Sequence, residues 1–200
     1  MLLRDRCTNI EAEDITSAIL DGVDMFILSH ETSVGTFASQ AVMQLAKSIA
    51  EAENVIDYEQ LYNDLRSETQ MSMKRATAFD YMATTACNVA IDNNVDLFIC
   101  LTETGKTARF ISKFKPMQPI ISCSTSSFVV RQTNISRGVI GYKIPMFLKK
   151  QTNKLIGLVL KVCKEQGLCS SGNKVLIFES EEEGRQREAL NFRLVTIDGE

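Results

Sequence analysis

Two kinds of apolar spacing alternate along the chain. Short continuous runs, such as Leu97-Phe98-Ile99-Cys100-Leu101, have the pattern of strands buried on both faces. Longer stretches, in which apolar residues return every third or fourth position, have the pattern of helices with one buried side. The first is a helix over Glu11 to Leu20, with Thr8 or Asn9 as its cap and Ile15, Ala18 and Ile19 on one side. Asp21-Gly22 stops it, and Val23-Asp24-Met25-Phe26-Ile27-Leu28 reads as a short buried strand. The polar segment from Ser29 to Gly35 leads into a long helix, Phe37 to Ile56, with Ala41, Val42, Leu45, Ala46, Ile49 and Ala52 in phase. A shorter helix, Tyr58 to Arg66, follows, and by composition the polar run Ser67-Glu68-Thr69-Gln70 is a candidate domain boundary.

Beyond it the alternation is regular. The spacing predicts helices over Lys74–Asn93, Lys106–Lys115, Phe128–Asn134 and Lys149–Gln166. Between them lie strands at Leu97–Leu101, Pro119–Cys123 and Val139–Tyr142, and then a closing pair, Val175–Phe178 and Phe192–Val195. Strands alternating with helices predict an α/β fold with a mainly parallel sheet flanked by helices. The closing pair is placed as an antiparallel hairpin at one edge, so the sheet is mixed.

Composition narrows the function classes. The chain has 200 residues, 44% hydrophobic and 24% charged, ordinary for a globular protein able to bury a core. Lys plus Arg number 22 against 25 Asp plus Glu, a net charge of -3, which argues against a nucleic-acid partner or an anionic membrane. No apolar run reaches the length of a membrane span, and Arg4-Asp5-Arg6 follows Met1-Leu2-Leu3 at once, which leaves no signal-peptide core. The cytoplasm is the expected location. Cys7, Cys87, Cys100, Cys123, Cys163 and Cys169 form no C-x-x-C pair and His30 is the only histidine, so no metal site is expected. The cysteines read as reduced core residues.

The stretch with the clearest chemistry is Asp96 to Pro116. A strand runs through Thr102-Glu103-Thr104-Gly105-Lys106-Thr107 into a helix with Ala108, Phe110, Ile111 and Phe114 on its apolar side. Hydroxyls and free N–H groups at the positive end of a helix dipole suit a phosphate. Threonine and glycine before a helix are also ordinary capping and turn residues, so spacing alone leaves both readings open.

Read together, Ser17 to Asp24, Ile27-Leu28-Ser29-His30-Glu31-Thr32 and Gly35 resemble the end of the catalytic barrel of pyruvate kinases. Ala50-Glu51-Ala52-Glu53 is similar to the acid-rich end of that family's last barrel helix. Leu101 to Ala108 resembles the effector loop of its C-terminal domain, and Lys113-Phe114-Lys115-Pro116, Pro119-Ile120-Ile121 and Arg137-Gly138 follow in the family's order. The resemblance runs from about Thr8 to Val195. It implies a remnant of a (β/α)8 barrel over residues 1–57, contributing its last helix, strand and helix. Over residues 58–200 it implies a C-terminal effector and oligomerisation domain.

The resemblance also implies what each part does. Complete pyruvate kinases transfer a phosphoryl group from phosphoenolpyruvate to ADP with magnesium and potassium. The Lys-Ile-Glu and Arg-Gly-Asp-Leu segments that carry the metal are not found here, so no catalytic residue is assigned. Magnesium and potassium are expected only for the complete enzyme. Ser29 and Glu31 are placed as a remnant of the active-site mouth, at the end of a barrel strand. His30 stands where the family usually has glycine and is read as incidental. Thr102, Thr104, Gly105, Lys106 and Thr107 are placed as the pocket for one phosphate of a sugar-phosphate effector. Two departures weigh against a bisphosphate: Glu103 sits in that pocket as a like charge, and the family's second phosphate loop here reads Glu179 to Arg187, rich in acids and without tryptophan. Two readings follow: the C-terminal part of an enzyme that is effector-insensitive or altered in its choice of effector, or a non-catalytic module for phosphorylated-metabolite binding or assembly. A second copy of the chain, or the missing barrel portion, is the expected partner.

Overall fold

The computed structural model describes residues 4–71, 76–146, 151–182 and 188–197. It divides into two compact units, Met1–Asp57 and Tyr58–Glu200.

In the first unit, helix α1 (Asn9–Leu20) starts where the sequence placed its cap. Thr8 Oγ1 accepts the Glu11 N–H at 3.2 Å, and the Glu11 carboxylate accepts the Thr8 N–H at 2.7 Å, a reciprocal capping box. A four-residue helix α2 (His30–Ser33) and helix α3 (Ala38–Glu53) complete the unit, and α3 packs against both others. Ile19, Ala41 and Ala52 are its buried side chains. The strand expected over Val23–Leu28 does not form; these residues carry no ladder pairing, and Ile27 is 82% exposed. A strand is held by backbone bonds to a neighbour, and no other strand is present in this unit among the described residues.

The second unit opens with α4 (Tyr58–Met71), which continues straight through Ser67–Gln70. That polar run is therefore not a boundary: Ser67, Glu68 and Gln70 are the solvated face of an amphipathic helix. Helix α5 (Ala78–Asn93) is capped by Thr77, and the earlier start expected at Lys74 lies outside the described residues. Then come β1 (Leu97–Leu101), α6 (Lys106–Ser112), β2 (Ile120–Ser124), α7 (Ser127–Thr133), β3 (Val139–Lys143) and α8 (Thr152–Glu165). The final hairpin is β4 (Lys174–Glu182) and β5 (Glu188–Thr196). The expected start of α8 at Lys149 also lies outside the described residues.

The sheet order is β3-β2-β1-β4-β5. The pairs β1–β2, β2–β3 and β1–β4 are parallel, and β4–β5 is antiparallel, so the expected mixed sheet with an edge hairpin is the observed one. Alternation along β1 divides the core. Phe98 and Cys100 join Ala86, Ile111 and Phe114 on the face covered by α5 and α6, while Leu97 and Ile99 join Leu155 and Val159 of α8 on the other. The hairpin strands outrun their apolar centres because ladder pairing, from Lys174–Thr196 to Glu182–Glu188, needs only backbone groups.

One ion pair ties α5 to the end of α6. The Lys113 ammonium lies 2.7 Å from the Asp80 carboxylate, which also accepts the Thr77 N–H at 2.8 Å and is 5% exposed. Burial pushes the Asp80 carboxyl up, but Lys113 and the Thr77 donors outweigh it and hold it below its ordinary value. A carboxyl with a lowered folded-state value contributes stability above the unfolded value, near 4, and loses it as pH falls through the folded one. Asp80→Ala is expected to cost about 1–3 kcal/mol at neutral pH and to flatten the acid limb of the stability curve. Urea denaturation of both proteins between neutral pH and pH 3 checks this. An unchanged acid limb in the variant would show that Asp80 is not the titrating group.

Candidate functional site

All four parallel strands present their carboxyl ends at one edge of the sheet. From β1 the chain winds outward through β2 to β3, then α8 carries it back to β4 on the other side of β1. The crevice between β1 and β4 is thus the topological switch point, where open α/β sheets bind ligands. The loop after β1 is Thr102 to Gly105.

This loop is closed on itself. The Thr102 N–H still donates to the Cys123 carbonyl at 3.0 Å, continuing the ladder, and its buried hydroxyl oxygen accepts the Gly105 N–H at 3.0 Å. Gly105 has φ 78° and ψ 0°, a left-handed geometry that glycine adopts without strain. A Cβ there would lie 2.5 Å from Thr133 Cγ2 of α7, so glycine is required by space as well as by conformation. Thr107, in the first turn of α6, is buried, whereas Thr104 is exposed. The Lys106 ammonium lies 4.1 Å from the ring centre of Phe79, which stacks on Phe110 at 5.3 Å. Sequence reasoning missed Phe79, because its role depends on α5 packing against α6. Glu103 and Lys106 are both half-buried and engaged in contacts of their own.

The predicted phosphate residues therefore meet in one loop, but with an internal bond: the Gly105 N–H is already committed to Thr102. Thr104, Lys106 and the hydroxyl hydrogen of Thr102 are the groups suited to meeting an anion. Across the crevice, the Glu179 carboxylate pairs with Arg193 at 3.1 Å, and Arg193 also donates to Asn153 at 3.2 Å. One acid of the Glu179–Arg187 stretch is thus neutralised. Glu183 to Arg187, including Arg185 and Arg187, lie outside the described residues.

In the first unit, Ser29 and Glu31 bond to each other. The Glu31 carboxylate accepts the Ser29 N–H at 3.3 Å, and its own backbone N–H together with that of Ser29 holds the carboxyl below its ordinary value. Glu31 thus caps the turn that opens α2. His30 is exposed, and its carbonyl accepts the Val34 and Gly35 N–H groups. A Cβ on Gly35 would lie 2.5 Å from the Glu31 carbonyl oxygen, so this close turn needs glycine.

Comparison with known proteins decides the family. Residues 80–194 match the model of the family described as "Pyruvate kinase, alpha/beta domain". The chain belongs to the pyruvate kinase family. It is 38% identical over 176 residues to a pyruvate kinase of Eimeria tenella, covering 88% of this chain and 32% of that protein. It is 35% identical over 200 residues to one from Dictyostelium discoideum, covering 98% and 38%. The solved structure "Cryptosporidium parvum pyruvate kinase in complex with ADP" superposes with a TM-score of 0.84 at 33% identity, covering 98% of this chain and 38% of that one. The chain thus spans about a third of the length of these pyruvate kinases.

The match fixes the kind of chemistry to look for. Among the described residues, no group of three or more His, Cys, Asp or Glu side chains could hold a metal ion. Among the described residues, no helix is long and apolar enough to cross a membrane.

The six cysteines are free thiols, five of them buried. Burial pushes Cys87 up to about 12 and Cys163 up to about 11, and raises Cys100 and Cys123 as well. Only a thiolate attacks an alkylating reagent. Iodoacetamide on the folded protein is expected to modify Cys7 first and to leave Cys87, Cys100 and Cys123 intact until denaturant is added. Peptide mass spectrometry against time checks the order, and early labelling of Cys100 would contradict the packed sheet.

Proposed function

We propose that this chain supplies the effector-binding and subunit-contact part of a pyruvate-kinase-like phosphotransferase, and that its β1–α6 loop holds one phosphate of a sugar-phosphate effector. The observation that carries the reading is the closed Thr102–Gly105 turn at the switch point of the sheet. In this reading the Thr102 and Thr104 hydroxyls donate to phosphate oxygens and Lys106 supplies the charge. The buried Thr107 belongs to the first turn of the helix that the loop enters, and Gly105 lets the backbone approach. Glu103 opposes a second negative group, so a monophosphate suits the site better than a bisphosphate.

Phosphoryl transfer from phosphoenolpyruvate to ADP belongs, in this proposal, to the complete enzyme together with its magnesium and potassium. The cytoplasm is the proposed compartment. Self-association, or docking to the remainder of a barrel, is the proposed use of the apolar surface of Met1–Asp57. Ile10, Ile27, Val34 and Val55 are each more than 70% exposed there, and apolar side chains of this kind are what a partner would cover. That surface also favours a second reading, a non-catalytic assembly module. Measured turnover of phosphoenolpyruvate by this chain would exclude it.

Calorimetry tests the phosphate site. A sugar monophosphate is expected to bind, Lys106→Met to weaken it roughly tenfold, and fructose bisphosphate to bind no tighter than the monophosphate. Tight bisphosphate binding that disappears with Thr107→Ala would overturn the single-phosphate reading.

A further inference from the structure

Charge is segregated along the chain far more sharply than its net value of -3 conveys. Residues 104–164 contain twelve Lys and Arg and no Asp or Glu, whereas the rest of the chain carries 10 Lys and Arg against 25 Asp and Glu. The acid-free stretch folds into consecutive elements, from α6 through β2, α7 and β3 to α8. Helix α7 lies within it on every side that counts: it packs chiefly on β2 and β3, and neither strand carries a carboxylate. Glu103, the acid just before the stretch, is engaged in contacts of its own, and Asp80 is paired with Lys113.

Helix α7 buries one side and leaves the other uncovered. Val129 and Thr133 are buried, and a Cβ on Gly105 would meet both. The opposite side presents Phe128, Arg131 and Ile135, at the i, i+3, i+7 spacing of one helical face. Asn134 keeps helical geometry past the last turn, with φ -64° and ψ -9°, so Ile135 continues that face. Phe128 is 67% and Ile135 53% exposed, and Arg131 between them is exposed as well. Lys143, exposed at the end of β3, adds a second cation. The negative end of the helix dipole is blunted, because its last carbonyls are taken. The Val130 carbonyl accepts the Thr133 hydroxyl at 3.1 Å, that of Gln132 the Ile135 N–H at 3.3 Å, and that of Thr133 the Ser136 N–H at 3.1 Å.

The end of the same helix seals the edge of the sheet. The Val139 N–H donates to the Ser136 carbonyl at 3.2 Å, and the Gly141 N–H donates to Asn134 Oδ1 at 2.6 Å. A Cβ at Gly141 would run into the Val130 carbonyl, so glycine is what lets the helix lie this close to β3. With these amides occupied, a partner gains little by adding a strand here. The side chains on the outer face of α7 are what remains to be met.

We infer that the outer face of α7 docks an acidic amphipathic helix of another protein. Its carboxylates meet Arg131 and Lys143, and its aliphatic side chains cover Phe128 and Ile135. A single-stranded nucleic acid fits this face less well, since it needs aromatic platforms for successive bases and α7 offers Phe128 alone. The face is turned away from the β1–α6 loop, and the inference stands whether or not that loop binds phosphate.

The test is an amide NMR titration of the full chain with a helix-forming peptide that has leucines along one side and glutamates along the other. A second peptide with lysine in place of every glutamate, and oligouridylate, serve as comparisons. The glutamate peptide is expected to shift the amides of Phe128, Arg131, Gln132 and Ile135 saturably, and to bind roughly tenfold tighter than the lysine peptide. That preference is expected to shrink as salt is raised. Arg131→Glu and Phe128→Ser, both exposed changes, are each expected to weaken the glutamate peptide roughly tenfold while the remaining amides keep their positions. Equal affinity for the two peptides, binding that neither substitution alters, shifts confined to other elements, or no shifts at all would overturn the inference. So would tighter binding of oligouridylate at these amides, or their movement with protein concentration alone, which would make a second copy the occupant.

Discussion

The second unit depends on one constraint, the complete enclosure of β1. Leu97, Phe98, Ile99 and Cys100 are all 0% exposed, because parallel strands cover both edges of β1 and helices cover both faces. A parallel neighbour cannot be reached by a tight turn, so each parallel pairing requires a crossover with a helix. The enclosure of one strand thereby dictates α6, α7 and α8 and sends every connection over the carboxyl or amino edge. Burying a side chain of this size stabilises the fold by roughly 1.5–3 kcal/mol, so these few positions outweigh any surface ion pair in the unit.

The same constraint shapes the loop that follows β1. Thr102 is still bound to the ladder through Cys123, and α7 packs so closely that only glycine fits at position 105. The loop is therefore held from below by the sheet, from the side by α7 and internally by the Thr102–Gly105 bond. The exposed Thr104 and the half-buried Lys106, its ammonium over Phe79, sit on a support that is fixed before any ligand arrives. A preorganised anion site loses less conformational entropy on binding than a floppy one.

How legible this was in the sequence differed by element. The β1–α6 connection could be read because a continuous apolar run, a glycine and a helical repeat each reflect a local physical requirement. The Val23–Leu28 segment carries an equally apolar run, yet among the described residues of its unit there is no strand for it to pair with. Ser67–Gln70 misled because a polar run marks solvent exposure, and a helix face is as well solvated as a linker. The capping boxes at Thr8–Glu11 and Thr77–Asp80 are local motifs, but only a cap at Thr8 or Asn9 was expected, and neither box. Within the candidate site, residue types were visible while partnerships were not. Phe79 under Lys106, Lys113 on Asp80 and Arg193 on Glu179 join residues 27, 33 and 14 positions apart, and no periodicity encodes them.

The central claim is that the rigid loop at the end of β1 presents one phosphate-sized anion site. Amide NMR of the full chain during titration with inorganic phosphate addresses it most directly. The account predicts saturable shifts at Thr104, Lys106 and Thr107, with the Gly105 amide remaining slow to exchange because Thr102 holds it throughout. Saturating phosphate that leaves these amides unmoved, or a Gly105 amide that exchanges as freely as an open turn, would contradict it.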